Sequence, residues 1–290
     1  MGGQAMLRRL VVGVDGSAGA RHALEWAAAQ AEGGRITVVH GFDPAPELLV
    51  AVAQVSLDEV REQHRLALEQ TWTEGIDRPG LAVDERLVDA DPAEALMRVA
   101  DETDAQAIVV GQHGNGRWSR HHLGEVPGRL LHKSHRPVII VNDDAPLAPL
   151  TGPVMAAVRD PKGGEPDAAV AWAADLAVDR GLPLRLAHVV EPLTYIDESA
   201  TIDLELLTAA SAKALELLSG NVRAGRPGLE VETRTVAGPP VARLSEEAQA
   251  ASLLVIGSHR VGPILGFITG SVARHLPTVA PAPVAAVPVD

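Results

Sequence analysis

The sequence contains no cysteine, which removes disulfides, zinc–thiolate sites, iron–sulfur clusters and thiol nucleophiles together. Aromatic residues are scarce, at 2%. The core must therefore be built from Val, Leu, Ile and Ala, a composition suited to helices on parallel strands and not to a platform for stacking nucleic-acid bases. Positive charge is short as well: 25 Lys and Arg stand against 38 Asp and Glu, a formal net charge of −13. An acidic chain repels phosphate backbones and anionic membrane surfaces at long range, so DNA or RNA is excluded as a main partner. Small anions remain admissible, because backbone amides bind them with little regard to net charge. No uncharged apolar run reaches the roughly 18 residues of a membrane span, and Leu10-Val11-Val12 is too short for a signal-peptide core. These absences describe a soluble, cytoplasmic protein with no membrane partner.

Reactive motifs are missing too. There is no Gly-x-x-x-x-Gly-Lys-Ser/Thr loop, and Gly13-Val14-Asp15-Gly16-Ser17 is not a Gly-x-Ser-x-Gly elbow. Acid–base chemistry needs convergent titratable groups, and none can be nominated, so the chain is expected not to be an enzyme. His113, His121, His122, His132 and His135 cluster in sequence, but without a His-Glu-x-x-His spacing they read as solvated histidines and not as a metal site. His40 and His188, at the ends of two strands, read as hydrogen-bonded histidines at the core edge.

What is present is a duplication. With 290 residues and 46% hydrophobic content, the chain has material for about two domains of roughly 150 residues. Ala107-Ile108-Val109-Val110-Gly111 matches Leu253-Leu254-Val255-Ile256-Gly257, Gly124 matches Gly270 and Pro137 matches Pro283, each pair 146 residues apart. Trp26 and Trp172 share that separation, and His40 and His188 are 148 apart. A colinear series of this kind marks a tandem repeat, divided here as domain 1 over 1–144, a proline-containing linker over 145–152 and domain 2 over 153–290.

Each repeat alternates strand and helix. In the first, strands are expected at Leu10–Val14, Ile36–Val39, Leu81–Val88, Ala107–Val110 and Pro137–Val141. Helices are expected at Ala20–Glu32, Leu57–Thr73, Asp91–Asp101 and Pro127–Ser134. That order predicts an α/β fold: two repeated, doubly wound, parallel five-stranded sheets flanked by helices. Ligands of such sheets bind beyond the carboxyl ends of the strands. Two loops fall there, Asp15-Gly16-Ser17 and the loop that begins at Gly111.

In the second half Gly257-Ser258-His259-Arg260 leads through nine residues to Gly270-Ser271-Val272, which opens a helix. In the first, Gly111-Gln112-His113-Gly114 leads through nine residues to Gly124-Glu125-Val126. Strand, glycine loop and helix N-terminus together make an anion cradle: the glycines let amides converge and the helix dipole adds positive charge. With the opening Val11-Val12-Gly13-Val14-Asp15-Gly16-Ser17 and the closing His135-Arg136-Pro137-Val138-Ile139-Ile140-Val141, these loops make the chain resemble the universal stress protein family over nearly its whole length, in two copies. The resemblance implies a Rossmann-like fold of the adenine nucleotide alpha hydrolase type. It also implies a non-catalytic stress-response protein that binds ATP, with magnesium, or another adenine nucleotide. Asp15 would contact the adenosine; Gly111, Gly114 and Gly124 would line the phosphates in the first half, and Gly257, Gly270, Ser271 and Val272 in the second. It further implies that Pro137–Val141 and Pro283–Val287 pair the two domains as an internal dimer, which would dimerise again as a homodimer.

Both halves depart from the family pattern. Glu125 stands where a hydroxyl residue belongs, and a carboxylate repels a triphosphate unless a metal ion or proton intervenes. The second half has Arg260 at the second glycine, and Arg159 or Asp160 at the Asp15 position. Two other functions stay open on the same fold: an interaction protein that binds no nucleotide, its protein partner unknown, and a slow ATPase. If there is a site, mutation of Gly270 or Ser271 is expected to matter more than mutation of Gly124.

Overall fold

The computed structural model describes residues 6–43, 56–76, 78–114, 123–191, 204–259 and 271–289. The described chain divides into two compact units that meet between Pro149 and Leu150 in sequence.

The first unit runs β1 (Arg9–Gly13), α1 (Ala18–Gln30), β2 (Arg35–Phe42), α2 (Leu57–Ala67), β3 (Ala82–Asp89), α3 (Pro92–Glu102), β4 (Ala107–Gly111), α4 (Glu125–Lys133) and β5 (Val138–Val141). Its strands are all parallel, in the order β3-β2-β1-β4-β5. Every residue of β4 and β5 is buried, as continuous Val/Ile runs covered on both faces require. The helices start where capping side chains permit. Ser17 accepts from the Ala20 amide at 3.2 Å, and Ser56 and Glu59 form a reciprocal capping box at α2. Asp91 caps α3, with Pro92 at its first position. The expected helix Leu57–Thr73 ends early as an α-helix and finishes in a π-helical turn over Leu68–Trp72. The last helix starts at Glu125, two residues before the expected Pro127, because Gly124 is its cap.

The second unit repeats the plan: β6 (Val154–Ala157), α5 (Ala168–Arg180), β7 (Leu184–Val190), α6 (Leu204–Gly225), β8 (Val231–Ala237), α7 (Pro240–Glu247), β9 (Leu253–His259), α8 (Ser271–Val279) and β10 (Val284–Val289). Its strands are parallel in the equivalent order, β10-β9-β6-β7-β8. The doubly wound α/β architecture is thus present in both units. In each, the order reverses beside the first strand, the place where sheets of this kind bind ligands at the carboxyl ends of the strands.

Register settles the correspondences between the halves. Leu10 pairs with Ile36 and Val154 with Leu184, while the Val14 and Val158 amides donate to Val39 and Ala187. Val14 and Val158 are therefore equivalent, and the residue that follows is Asp15 in one half and Arg159 in the other. The helix caps Ser17 and Asp167 are equivalent as well, so the second unit spends nine residues, Arg159–Asp167, where the first spends three. That insertion corrects the tryptophan match. Trp26, ninth in α1 and 1% exposed, corresponds to Leu176, ninth in α5; Trp172 is fifth and half-buried.

The segment expected to be a linker is held by hydrogen bonds inside each unit. His22 Nε2 bonds the Ala145 carbonyl and Gln30 Nε2 donates to the Ala148 carbonyl, both at 2.8 Å. Ser252 Oγ accepts from the Thr151 amide at 3.2 Å and from the Gly152 amide.

Candidate functional site

In the first unit a cavity of about 290 Å³ lies at the switch point, near the lower end of small-molecule sites at roughly 300 Å³. Its floor is the end of β1 (Gly13–Asp15), the end of β2 (Val39–Gly41) and the end of β4 (Val110, Gly111); its walls are His113, Gly114, Pro92, Leu96 and the start of α4 from Gly124 to Pro127. Asp15, Gly111, Gly114 and Gly124, all expected from the sequence, are brought together here.

Each is held for a physical reason. Asp15 Oδ1 accepts from the Ser17 amide at 3.0 Å, closing the Asx turn into α1. A Cβ on Gly111 would fall 2.6 Å from the Gly19 carbonyl carbon, so only glycine lets β4 meet α1 this closely. A Cβ on Gly114 would overlap Asp15 Oδ2, so the glycine loop and the aspartate meet in van der Waals contact. The Gly124 amide donates to the Gln112 carbonyl at 3.0 Å, which fixes the entry to α4.

That helix offers fewer amides than the sequence pattern suggested. After the cap come Glu125, Val126 and Pro127, and the proline has no N–H to give. Glu125 lies at the first helical position with its side chain 77% exposed, 3.9 Å from Arg129. His113 contributes the opposite kind of group. Its Nε2 is buried without a hydrogen-bond partner, a state that in native proteins calls for explanation by an unseen ligand or water.

Several residues the sequence reading passed over take part. Gly13 and Gly41 line the cavity, and Cβ atoms there would press on Leu96 at 3.0 Å and overlap the Pro92 backbone, respectively. Their signal was visible as lone glycines inside strand patterns, which mark close backbone approach. His40, 8% exposed, bonds the Val14 carbonyl through Nδ1 and His64 Nδ1 through Nε2, both at 2.8 Å. A carbonyl only accepts, so neutral His40 carries its proton on Nδ1 and His64 must donate to Nε2. Trp72, at the end of the π-helical turn, stacks edge-on to His40 with centroids 4.9 Å apart and lies against Gly16, where a Cβ would sit 2.8 Å from the indole nitrogen.

The second unit keeps part of this frame. His188 Nδ1 bonds the Val158 carbonyl at 2.8 Å, as His40 does Val14. Register makes Ala157, Arg159 and Val189 the counterparts of Gly13, Asp15 and Gly41. Asp160 accepts from the Lys162 amide at 3.0 Å and starts a 3₁₀ turn, Pro161–Gly163, inside the longer loop. Strand β9 stays paired with β10 through His259, whereas β4 ends at Gly111. Gly257 therefore sits within a strand, not at its exit. Ser271 and Val272 begin α8; Gly270 and Arg260 lie outside the described residues, as do His121 and His122. Among the described residues no group of three His, Cys, Asp or Glu is placed to hold a metal, and no helix is long and apolar enough to cross a membrane.

The comparisons with known proteins agree with this architecture. The model of the Universal stress protein family matches twice, at residues 6–142 and 153–288. A universal stress protein of Mycolicibacterium smegmatis is 30% identical over 284 residues, covering 95% of each chain. One from Mycobacterium tuberculosis is 27% identical over 283 residues, covering 95% of this chain and 94% of its own. The crystal structure of a universal stress protein from Archaeoglobus fulgidus superimposes with a TM-score of 0.63 at 19% identity, over 98% of this chain and 97% of that one. With the family model matching both halves in succession, the chain belongs to the universal stress protein family, as a tandem of two such domains.

Proposed function

We propose that this protein is a non-catalytic stress-response protein that binds one adenine nucleotide per chain, in the first unit. The observation that supports this best is the convergence of Asp15, Gly111, Gly114 and Gly124 on one cavity, with glycine at two of these positions where a Cβ would overlap Gly19 or Asp15. In this reading the phosphates lie against the glycine loop and the amides of Glu125 and Val126 at the start of α4. His113 Nε2 gains an acceptor. The nucleoside lies toward Asp15 and the end of β2. ATP would bind with magnesium, which lowers the charge that Glu125 meets.

Three features of the second unit argue against an equivalent site there. Ala157 and Val189 replace cavity glycines, Arg159 replaces Asp15, and the strand exit at Gly257 is paired onward. On this reading Gly124 should matter more than Gly270 and Ser271, the opposite order to the one expected from the glycine pattern. We assign the second unit no ligand. The two units are proposed to divide at the 145–152 segment, and the protein to be cytoplasmic.

The test is calorimetric titration of the purified chain with ATP and magnesium, AMP and adenosine, after any co-purified nucleotide has been removed and identified by chromatography. A stoichiometry near one, lost in Gly114→Val and kept in Ser271→Ala, is expected. A stoichiometry near two, or binding that survives Gly114→Val and fails in Ser271→Ala, would assign the ligand to the second unit. No heat, no co-purified nucleotide and no thermal shift would favour the pure interaction protein.

A further inference from the structure

Glu125 poses a difficulty for any anion at the start of α4. A carboxylate at the first helical position takes up the positive end of the helix dipole itself and repels a second anion beside it. The structure places a cation one turn on. Arg129 bonds Asp91, the cap of α3, and its guanidinium lies 3.9 Å from both Glu94 and Glu125. It thus joins the two helices whose first residues, Pro92 and Glu125, face the cavity.

The second unit supplies a control within the same chain. The first and fifth residues of α8 are Ser271 and His275, against Glu125 and Arg129 in α4. The cap of α7 is Pro239, against Asp91 for α3, and the third helical residue is Ala242, against Glu94. All three acids and the arginine are absent together.

Resting on the reading of the first unit as a nucleotide site, we infer that Arg129 is the positioning residue that makes the Glu125-bearing helix mouth compatible with phosphate. Its guanidinium holds the Glu125 carboxylate aside and offsets its charge. Asp91 fixes that guanidinium relative to α3, so the amides of Glu125 and Val126 stay open to the ligand. Arg129 does not itself line the cavity in this role, and its effect on binding runs through Glu125.

Titration of adenosine and of ATP with magnesium into wild type, Arg129→Met, Glu125→Ser and the double variant tests this. Arg129→Met should weaken ATP about fivefold, roughly the most that one ion pair with a mostly exposed carboxylate contributes, and adenosine less than about twofold. Glu125→Ser added to Arg129→Met should restore ATP affinity to within about 1.5-fold of wild type, because no carboxylate then needs to be offset. A merely structural tie between α3 and α4 would weaken both ligands alike and would not be rescued. Equal losses for ATP and adenosine, or no rescue, overturn the inference and leave the nucleotide site standing. Should Arg129→Met unfold, Arg129→Lys keeps the charge and must retain the wild-type ratio of the two affinities. Wild type that binds neither ligand sinks the nucleotide reading and this inference together.

Discussion

Gly111→Ala adds one methyl group where β4 meets the start of α1. An ideal Cβ there lies 2.6 Å from the carbonyl carbon and oxygen of Gly19 and 3.0 Å from the Ala20 nitrogen. All three are backbone atoms, so no rotamer change relieves them, and strand and helix must part. Gly257→Ala is the matched control, since Gly111 opposite Val141 and Gly257 opposite Val287 hold the same ladder position. Its Cβ would meet Val289 Cγ1 and Cγ2 at 3.3 Å and Ala169 Cβ at 3.9 Å, side-chain atoms able to shift by a few tenths of an ångström. Overpacking costs about 1–3 kcal/mol. The rigid contact puts Gly111→Ala near the top, at about 3 kcal/mol, and Gly257→Ala below about 1 kcal/mol. For a unit of this size each kcal/mol lowers the midpoint by about 2–4 °C, so calorimetry should show a fall of roughly 6–12 °C against less than about 4 °C. The Gly111 variant should also lose nucleotide, because the displaced helix carries the turn from Asp15. Equal falls for the two variants would refute the claim that backbone contact at the first site, and only there, fixes the glycine.

Three further outcomes are expected. Gly114→Ala places a methyl on Asp15 Oδ2 at an exposed loop position. Nucleotide affinity should drop at least about tenfold while the unfolding free energy moves by less than about 0.5 kcal/mol; intact affinity would remove Gly114 from the site. His64→Ala removes the 2.8 Å hydrogen bond between the two histidines and should cost about 1 kcal/mol in urea titration, whereas a neutral result would show that the pair is incidental. Asp104 is held below the usual aspartate range, first by its hydrogen bond from Arg136 and then by the charges of Arg136 and Arg9. A carboxyl depressed in the folded state contributes stability above its unfolded pKa of about 3.9 and loses it as the pH falls through the folded value. Asp104 also sits at φ +48°, which asparagine accepts. Asp104→Asn should therefore melt below wild type by a constant margin from about pH 5 upward, with the margin closing below about pH 4; a margin that widens in acid would contradict the ion pair.

The sequence carried the strands and their alternation with helices well, because Val/Ile runs that end in Asp15, Gly111 and Val141 admit few other readings. It carried the cradle only in part. The family pattern pointed to Asp15, Gly111, Gly114 and Gly124, but the strand glycines Gly13 and Gly41 are defined by what presses on them from α3, which lies far off in sequence. The helix expected from Pro127 begins at Glu125 instead, because Gly124 caps it. Arg159 and Asp160 could not be ranked, since only the bond from the Val158 amide to Ala187 fixes the register. Ala-rich α1 and α5 carry few marks by which to align them, and so two tryptophans at the common spacing suggested a match that a six-residue insertion undoes. Arg129 was invisible because its partners Asp91 and Glu94 lie on another helix.

The stretch between the repeats is mostly exposed, the setting in which proteases nick chains most readily. Yet His22, Gln30 and Ser252 pin its backbone at four places, and a protease must lift a segment free before it can thread it through its cleft. A cell that degrades this protein would meet its resistance there, so the intact two-domain polypeptide should outlast the separated halves that a loose tether would have released.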